Sequence, residues 1–506
     1  MSPALAHPSG FQLLHRPGFW IALLAALPLL VGGLYVSVNW IGSCQLKSVV
    51  DRLKSNGFDI SLAPPAPSGA ADVDNFCATP LMRGIAEGKA HGPAWEGVDR
   101  LQKWHRAAVA QGIRPRSLAH PKVTDWAALY AVLRESSPLS QLDEVDPDPA
   151  AFVRIWLDGE LESVTTELRS VLGRPHAHFV PGYWESAVRS PVLEGPALDF
   201  LAMYRLGLAY RYRAESAMAH RDAATFLESI RILGRLADAC RTEAPVLGVV
   251  VGSSTLNFAL EATWFAAADQ TFTPDDWRRL GDFWRHQRPL DSLEDGVRTE
   301  LAFGYLSHAQ LRVKPAEYLG MVLTSDPFGG LSEWEERVAR LIPPGWFDAA
   351  HASWVTEAQA LVHRIRDPAI PDRYNLDDWL DQRVGDARFP SPRVSVRSLS
   401  VLVQPVRRIA AVHATARLAE AACALEAHAA ENESPPDTLE ALVPRYLTTV
   451  PLDLDGRPIR YSPVSATGRY KLWSIGSDGV DNGGAAKGGS QAWINTTGDW
   501  VWEYPL

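Results

Sequence analysis

His176-Ala177-His178 is the one close histidine pair in the chain. In an extended segment this spacing sets both imidazoles on one side, which supplies two ligands of a metal site that usually needs a third from the protein. No third ligand is set by spacing, so a surface loop is the simpler expectation. Asp158, Glu160, Glu162 and Glu167 place four carboxylates on one predicted helix. Paired acid–base chemistry would need two of them to converge, and a solvated helix face accounts for all four. Gly252-Ser253-Ser254 lacks the GxSxG form of a nucleophile elbow, there is no HExxH, and the Gly-rich tail has no Gly-Lys-Ser/Thr phosphate loop. No catalytic residue is therefore assigned. If the body holds an enzyme site, His176, His178 and their acidic neighbours are its first suspects.

The elements that would position such groups are mostly helical. The chain has 506 residues, 46% of them hydrophobic, enough for two or three cores. Lys and Arg number 49 against 59 Asp and Glu, giving a net charge of -10 with no basic cluster. Nucleic acid is not an expected partner, because phosphate binding needs clustered cations. Cys44, Cys77, Cys240 and Cys423 lie far apart with no CxxC pair, so neither a zinc site nor a disulfide framework is expected.

From Phe19 to Val38 the chain reads FWIALLAALPLLVGGLYVSV, a run without charge. At ~1.5 Å per residue it spans the ~30 Å hydrocarbon layer of a bilayer. Trp20 at one end and Tyr35 and Trp40 at the other suit interfacial anchoring. The expectation is a single retained transmembrane helix over 19–40 after a short tail, 1–18. The run exceeds the apolar core of a cleaved signal peptide. Ile41-Gly42-Ser43-Cys44 has the form of a lipobox, but Asn39 intervenes between it and the apolar run. Gly10-Phe11 has the form of a prepilin cleavage site, yet His15 stands where Glu belongs.

Residues 41–75 read as stalk and linker, with Ser61 to Asp72 (SLAPPAPSGAAD) too rich in Pro, Ala, Ser and Gly to build a core. Residues 76–390 read as a large irregular or superhelical α domain. Apolar residues recur three and four apart, as at Phe226, Ile230, Leu233 and Leu236. Ala197 to Thr242 predicts a helical hairpin, with a turn at His220-Arg221-Asp222 and Asp222 capping the second helix. Leu206-Gly207-Leu208-Ala209-Tyr210 and Ala219 match part of a tetratricopeptide repeat, but no second copy follows at a ~34-residue period. Thr273-Pro274-Asp275-Asp276 and Asn375-Leu376-Asp377-Asp378 are helix starts.

The last region, 391–506, changes character. A helix from about Ser400 to Glu431, rich in Ala, Leu and Glu, is followed by a short predicted helix in DTLEALVPRYL. Turn chemistry around Asp455-Gly456 leads to Arg469 to Ser474, which alternates as a strand does, and then to a Gly-rich loop. Helix followed by small antiparallel sheet is the reading. Leu439-Glu440-Ala441-Leu442-Val443-Pro444-Arg445-Tyr446-Leu447, then Pro451, Asp453, Gly456, Pro458 and Tyr461, then Leu472 to Gly479 stand in a familiar order. From about Ala421 to Tyr504 the sequence resembles the globular domain of the major pseudopilin of bacterial type II secretion systems.

That resemblance implies a small α+β module whose late loop binds calcium. On this chain the implied ligands are Asp478, Asp481 and Asp499, with loop carbonyls completing the shell. Asn482 stands where related loops often carry another acid, and Lys487 adds an opposing charge. More than 350 residues separate this module from the membrane helix, and the helix before it carries Arg407, Arg408, Arg417 and Glu420. It is thus not expected to polymerise as a pilus subunit does. The resemblance also bears on topology. Only Arg16 precedes the apolar run while Lys47, Arg52 and Lys54 follow it, which on a positive-inside count puts the body in the cytoplasm. Long domains translocate largely regardless of such charges, and the resemblance points to the envelope. The expectation is a mainly α, single-pass bacterial inner-membrane protein with its body outside the cytoplasm. Protein partners in the envelope, secretion or pilus-type machinery among them, are implied.

Overall fold

The computed structural model describes residues 17–57, 72–90, 92–113, 124–136, 148–179, 199–243, 246–270, 272–311, 332–370, 372–386, 399–464, 469–487 and 497–503. The Pro-rich segment 61–71 and the prepilin-like Gly10-Phe11 lie outside them. The described chain is mostly helical, with an apolar helix at the N-terminus and a small antiparallel sheet near the C-terminus. It divides into two compact units.

The first unit comprises 1–61, 304–357 and 383–399 as far as they are described. Its longest element is α1 (Pro17–Ser55), 39 residues that carry the apolar run and continue through the expected stalk. Pro28 lies inside α1, and Arg52 and Lys54 in its last turn complement the carbonyl end. Leu29, Leu30, Val31, Leu34 and Val36 are all exposed. The described residues of 304–357 group with α1 in this unit although they fall within the 76–390 span.

In the second unit, α2 (Pro80–Ala86), α3 (Pro93–Ala110), α4 (Trp126–Ser136) and α5 (Pro149–Val171) come first. Pro at the first turn opens α2, α3 and α5, where its missing N–H costs nothing. Thr79 and Asp148 cap α2 and α5 through their side-chain oxygens. The predicted hairpin is present as α6 (Phe200–Ala219) and α7 (Ala223–Glu243), with Arg221 at φ 53° in the turn. Asp222 accepts the Thr225 amide at 3.1 Å, as a cap should. α8 (Val246–Ala268) is largely apolar and has no single apolar stripe, as suits a helix that runs through the core against α6 and α7. α9 (Pro274–His286) opens with a full capping box between Thr273 and Asp276.

α10 (Leu293–Leu311), α11 (Glu333–Ala339), α12 (Pro344–Arg366) and α13 (Leu376–Asp386) follow. Of these, α11 and the stretch 304–311 of α10 and 344–357 of α12 belong to the first unit. α14 (Ser400–Asn432) then packs on both α8 and α9. Its C-terminal half also covers a three-stranded antiparallel sheet of β1 (Arg460–Val464), β2 (Arg469–Ser474) and β5 (Trp500–Trp502), in the order β1-β2-β5. Tyr461 pairs with Leu472, and Leu472 with Trp502. The alternation read in β2 holds, with Tyr470, Leu472 and Ser474 buried. β3 (Ala486–Lys487) and β4 (Thr497–Gly498) form a separate two-stranded pair.

Two expectations need correction. The helix expected in DTLEALVPRYL shrinks to one 3-10 turn, Leu439–Leu442. Pro444 has no N–H to donate and disfavours helical geometry at Val443, which is extended. The acids of α5 do not share one solvated face. Arg100 grips Glu160 with its Nε at 3.0 and 2.8 Å, Arg213 donates to Asp158 at 2.8 Å, and Glu167 accepts the Leu81 amide at 2.7 Å. Glu162 is exposed, with no ion pair or hydrogen bond among the described residues.

Candidate functional site

The C-terminal acids lie where the sheet meets its Gly-rich turn. Asp499 sits between β4 and β5 and is fully buried. Both its oxygens face the amide of Asn482, at 3.1 and 3.0 Å, and one also accepts from Gly484 at 2.7 Å. Gly483 and Gly484 have positive φ, which lets the turn aim successive amides at one carboxylate. Burial raises the Asp499 carboxyl above its ordinary range, and the nearby charge of Asp481 pushes it the same way. Asp481 accepts from the Trp473 indole and from the Gly483 amide, both at 3.0 Å, and its carboxyl is lowered by these bonds. The structure therefore brings Asp481 and Asp499 together around the turn 482–484. Asp478, at the start of the turn, accepts the Val480 amide at 3.2 Å.

A cation already occupies part of this acidic neighbourhood. Arg460 on β1 donates to Asp453 at 2.6 Å and to Asp455 at 2.6 Å, and its Nε lies 3.4 Å from Asp481. Asp453 is buried and raised by burial, and it also holds Ser474 Oγ and the Ile475 amide. Among the described residues no three His, Cys, Asp or Glu side chains gather closely enough to hold a metal by themselves. A calcium ion on the turn would rest on Asp481 and Asp499 and on carbonyl oxygens.

A second polar cluster lies in the first unit. Asp348 of α12 accepts from Ser43 of α1 at 2.8 Å and pairs with His308 Nε2 of α10 at 3.0 Å. The His351 ring stacks on His308 at 4.6 Å, and Trp354 flanks its other side at 5.8 Å. His351 is buried, its Nε2 without a hydrogen-bond partner among the described residues, and burial lowers it to about 3. In a nucleophilic triad the imidazole bridges hydroxyl and carboxylate. Here the carboxylate is the bridge, so His308 is not placed to take the Ser43 proton. The cluster ties three helices together.

The third cluster fills the helical body. Arg211 on α6 donates to Glu215 at 3.0 Å and pairs with Glu261 of α8 at 3.0 Å. Thr124 donates to the other oxygen of Glu215 at 3.1 Å. Burial raises Glu215 against the pull of Arg211. Nearby, Tyr212 and His105 Nδ1 share a hydrogen bond of 2.8 Å, and burial lowers that imidazole. Two carboxylates on one guanidinium make a charge network inside the body, and sequence reasoning missed it because Arg211, Glu215 and Glu261 sit within otherwise apolar helices.

The expected histidine suspects form no such site. His176 and His178 stack at 5.9 Å, with His176 exposed. Asn75 holds their backbone, accepting the His178 amide at 2.9 Å and donating to the His178 carbonyl at 2.7 Å. Of the thiols, only Cys44 is exposed; burial pushes Cys240 up to about 12, leaving it inert. No protein-family model, curated protein or solved structure matches this chain.

Proposed function

We propose that this chain is a membrane-anchored envelope protein whose helical body and C-terminal α+β head present binding surfaces and not a catalytic centre. The observation that carries the reading is a contrast between two helices. Both α1 and α8 are long and apolar enough to cross a bilayer, but the apolar window of α8 is 72% buried by the protein and that of α1 only 6%. Exposed leucines and valines over such a length have no favourable home in water, and a bilayer provides one. The covered sheet, the acidic turn and the order of elements in the head support its likeness to a pseudopilin domain, and with it association with secretion or pilus-type machinery.

α14 supports a role as a fixed interaction module. Arg417 and Glu420 pair at 2.9 Å inside the protein, and Arg417 donates to the carbonyls of Trp284 and Gln287 at 2.5 Å each. A helix committed in this way to closing the end of α9 is not available to pack in a filament. Calcium on the 478–484 turn is part of the same proposal, because a divalent ion would offset the repulsion between Asp481 and buried Asp499.

A reporter fused after Leu506 tests orientation. Activity of an alkaline phosphatase fusion and a dark fluorescent-protein fusion are expected for an extracytoplasmic body, and the reverse pair contradicts it. A pull-down from native membranes identifies the partner, with components of envelope machinery expected.

A further inference from the structure

We infer that α11 and the turn that follows it form an interfacial element, whose exposed Trp334, Val338 and Leu341 insert into the headgroup region of the bilayer that α1 crosses. The inference rests on the membrane-spanning reading of α1 and adds a second point of attachment to it.

α11 is only seven residues long, yet it is properly begun. Ser332 Oγ donates to Glu335 at 2.7 Å, and the Ser332 amide donates to the same carboxylate at 2.8 Å. This reciprocal cap fixes the first turn. Trp334 and Val338 lie about one turn apart on α11, and Leu341 follows in the turn beyond its end, where its amide donates to the Val338 carbonyl at 3.0 Å. Their exposures are 73%, 40% and 75%, whereas Ala339 on the opposite side is buried. The inward side of α11 is thus already used, and its large apolar side chains point away from the protein.

The chain itself says what covers them. Four residues beyond Leu341, the Gly345 amide donates to Asn39 of α1 at 2.8 Å. Asn39 is followed by Trp40 and Ile41, exposed by 70% and 47%, where the apolar run ends and the interface with water would begin. Four residues reach at most about 14 Å, so the stripe cannot lie far from that interface. All these residues belong to the first unit. Trp at the edge of such a stripe favours the headgroup level, and Arg337 beside it can keep its charge in water while its stem lies on apolar surface. From Ser332 to Leu341 there are two arginines and three glutamates, so the attachment is apolar and does not depend on anionic lipid.

The test uses the full chain in nanodiscs of neutral phosphatidylcholine, in a Cys44→Ser background whose remaining cysteines are buried. Spin labels at Val338→Cys, Leu30→Cys and Glu162→Cys are compared for collision with oxygen and with a water-soluble nickel chelate. The Leu30 label is expected to be deep and the Glu162 label to read as water. The Val338 label is expected at a depth of about 5 Å or more below the phosphates, and unchanged when anionic lipid is added. A water-like Val338 label with a deep Leu30 label overturns the inference and leaves the anchor standing. A Val338 label shielded from both reagents overturns it too, since a second copy or another segment of the chain then covers the stripe. A water-like Leu30 label removes the anchor and the inference together.

Discussion

Gly345 donates its amide to the Asn39 side-chain oxygen at 2.8 Å and lies so close to α1 that a Cβ on it would collide with the α1 main chain. The same holds from the other side, where a Cβ on Gly42 would collide with the Gly345 carbonyl. Two glycines thus let α12 start directly against the segment of α1 that follows the apolar run, and the Ser43–Asp348–His308 bonds lie immediately beyond.

Gly42→Ala should loosen this clamp. Overpacking costs about 1–3 kcal/mol where the neighbours can shift, and here the obstacle is backbone. A drop of that size in unfolding free energy is expected from the urea midpoint of the full chain in detergent. Gly33→Ala, where the added methyl meets nothing and Ala is the better helix former, should leave the midpoint unchanged or raise it; equal losses in the two variants would contradict the clamp.

Buried histidines should make the fold acid-sensitive. His351 and His413 are each lowered to about 3, chiefly by burial, with Arg417 and Arg288 adding to the effect on His413. A depressed folded value means stability that is complete above the unfolded value near 6.5 and lost as pH falls toward 3. Between pH 6.5 and 5.5 each histidine should remove about 1 kcal/mol. His351→Phe keeps the stacked ring without the proton and should flatten the pH dependence by one histidine's share. An unaltered slope would show that His351 is solvated in the native protein.

Arg211 should matter more than either of its acids. Removing one partner of a buried pair costs about 3–5 kcal/mol, so Arg211→Met, which strands Glu215 and Glu261, should be severely destabilised. Glu215→Gln should be mild and should gain on the wild type as pH rises. Glu215 is raised in the folded state, so the wild type loses stability as pH climbs from the unfolded value through the folded one, and Gln does not. Calorimetric melting at pH 5 and pH 8 checks both; a larger gap in favour of the wild type at pH 8 would reverse the assignment.

Calcium binding should depend on Asp481 and Asp499 and little on Asp478. Calorimetric titration of the full chain with calcium is expected to show one site, lost in Asp481→Asn and kept in Asp478→Asn. Equal heats for calcium and for buffer would remove the site from the account.

Much of the architecture could be read from short-range chemistry. Asp222 and Thr273 announce their helices, Phe226 to Leu236 mark a buried face, and the alternation of Tyr470, Leu472 and Ser474 predicts a strand. Residues whose roles come from distant partners were illegible. Glu160 reads as a surface acid until Arg100 is brought beside it, and Arg417 reads as a solvated charge until the end of α9 arrives. Gly42 and Gly345, 303 positions apart, give no local sign that they touch. The acidic turn was legible through Asp481 and Asp499, whereas Arg460, which shares their neighbourhood, was not.

The proposed membrane anchor, α1 crossing a bilayer and holding the body there, can be tested by fractionation. Membranes from cells producing the full chain, stripped with alkaline carbonate and floated through a sucrose gradient, test it most directly. The chain is expected to rise with the lipid, and Leu29→Glu combined with Leu34→Glu to release it. Recovery of the unaltered chain in the carbonate wash, folded and free of lipid, would contradict it.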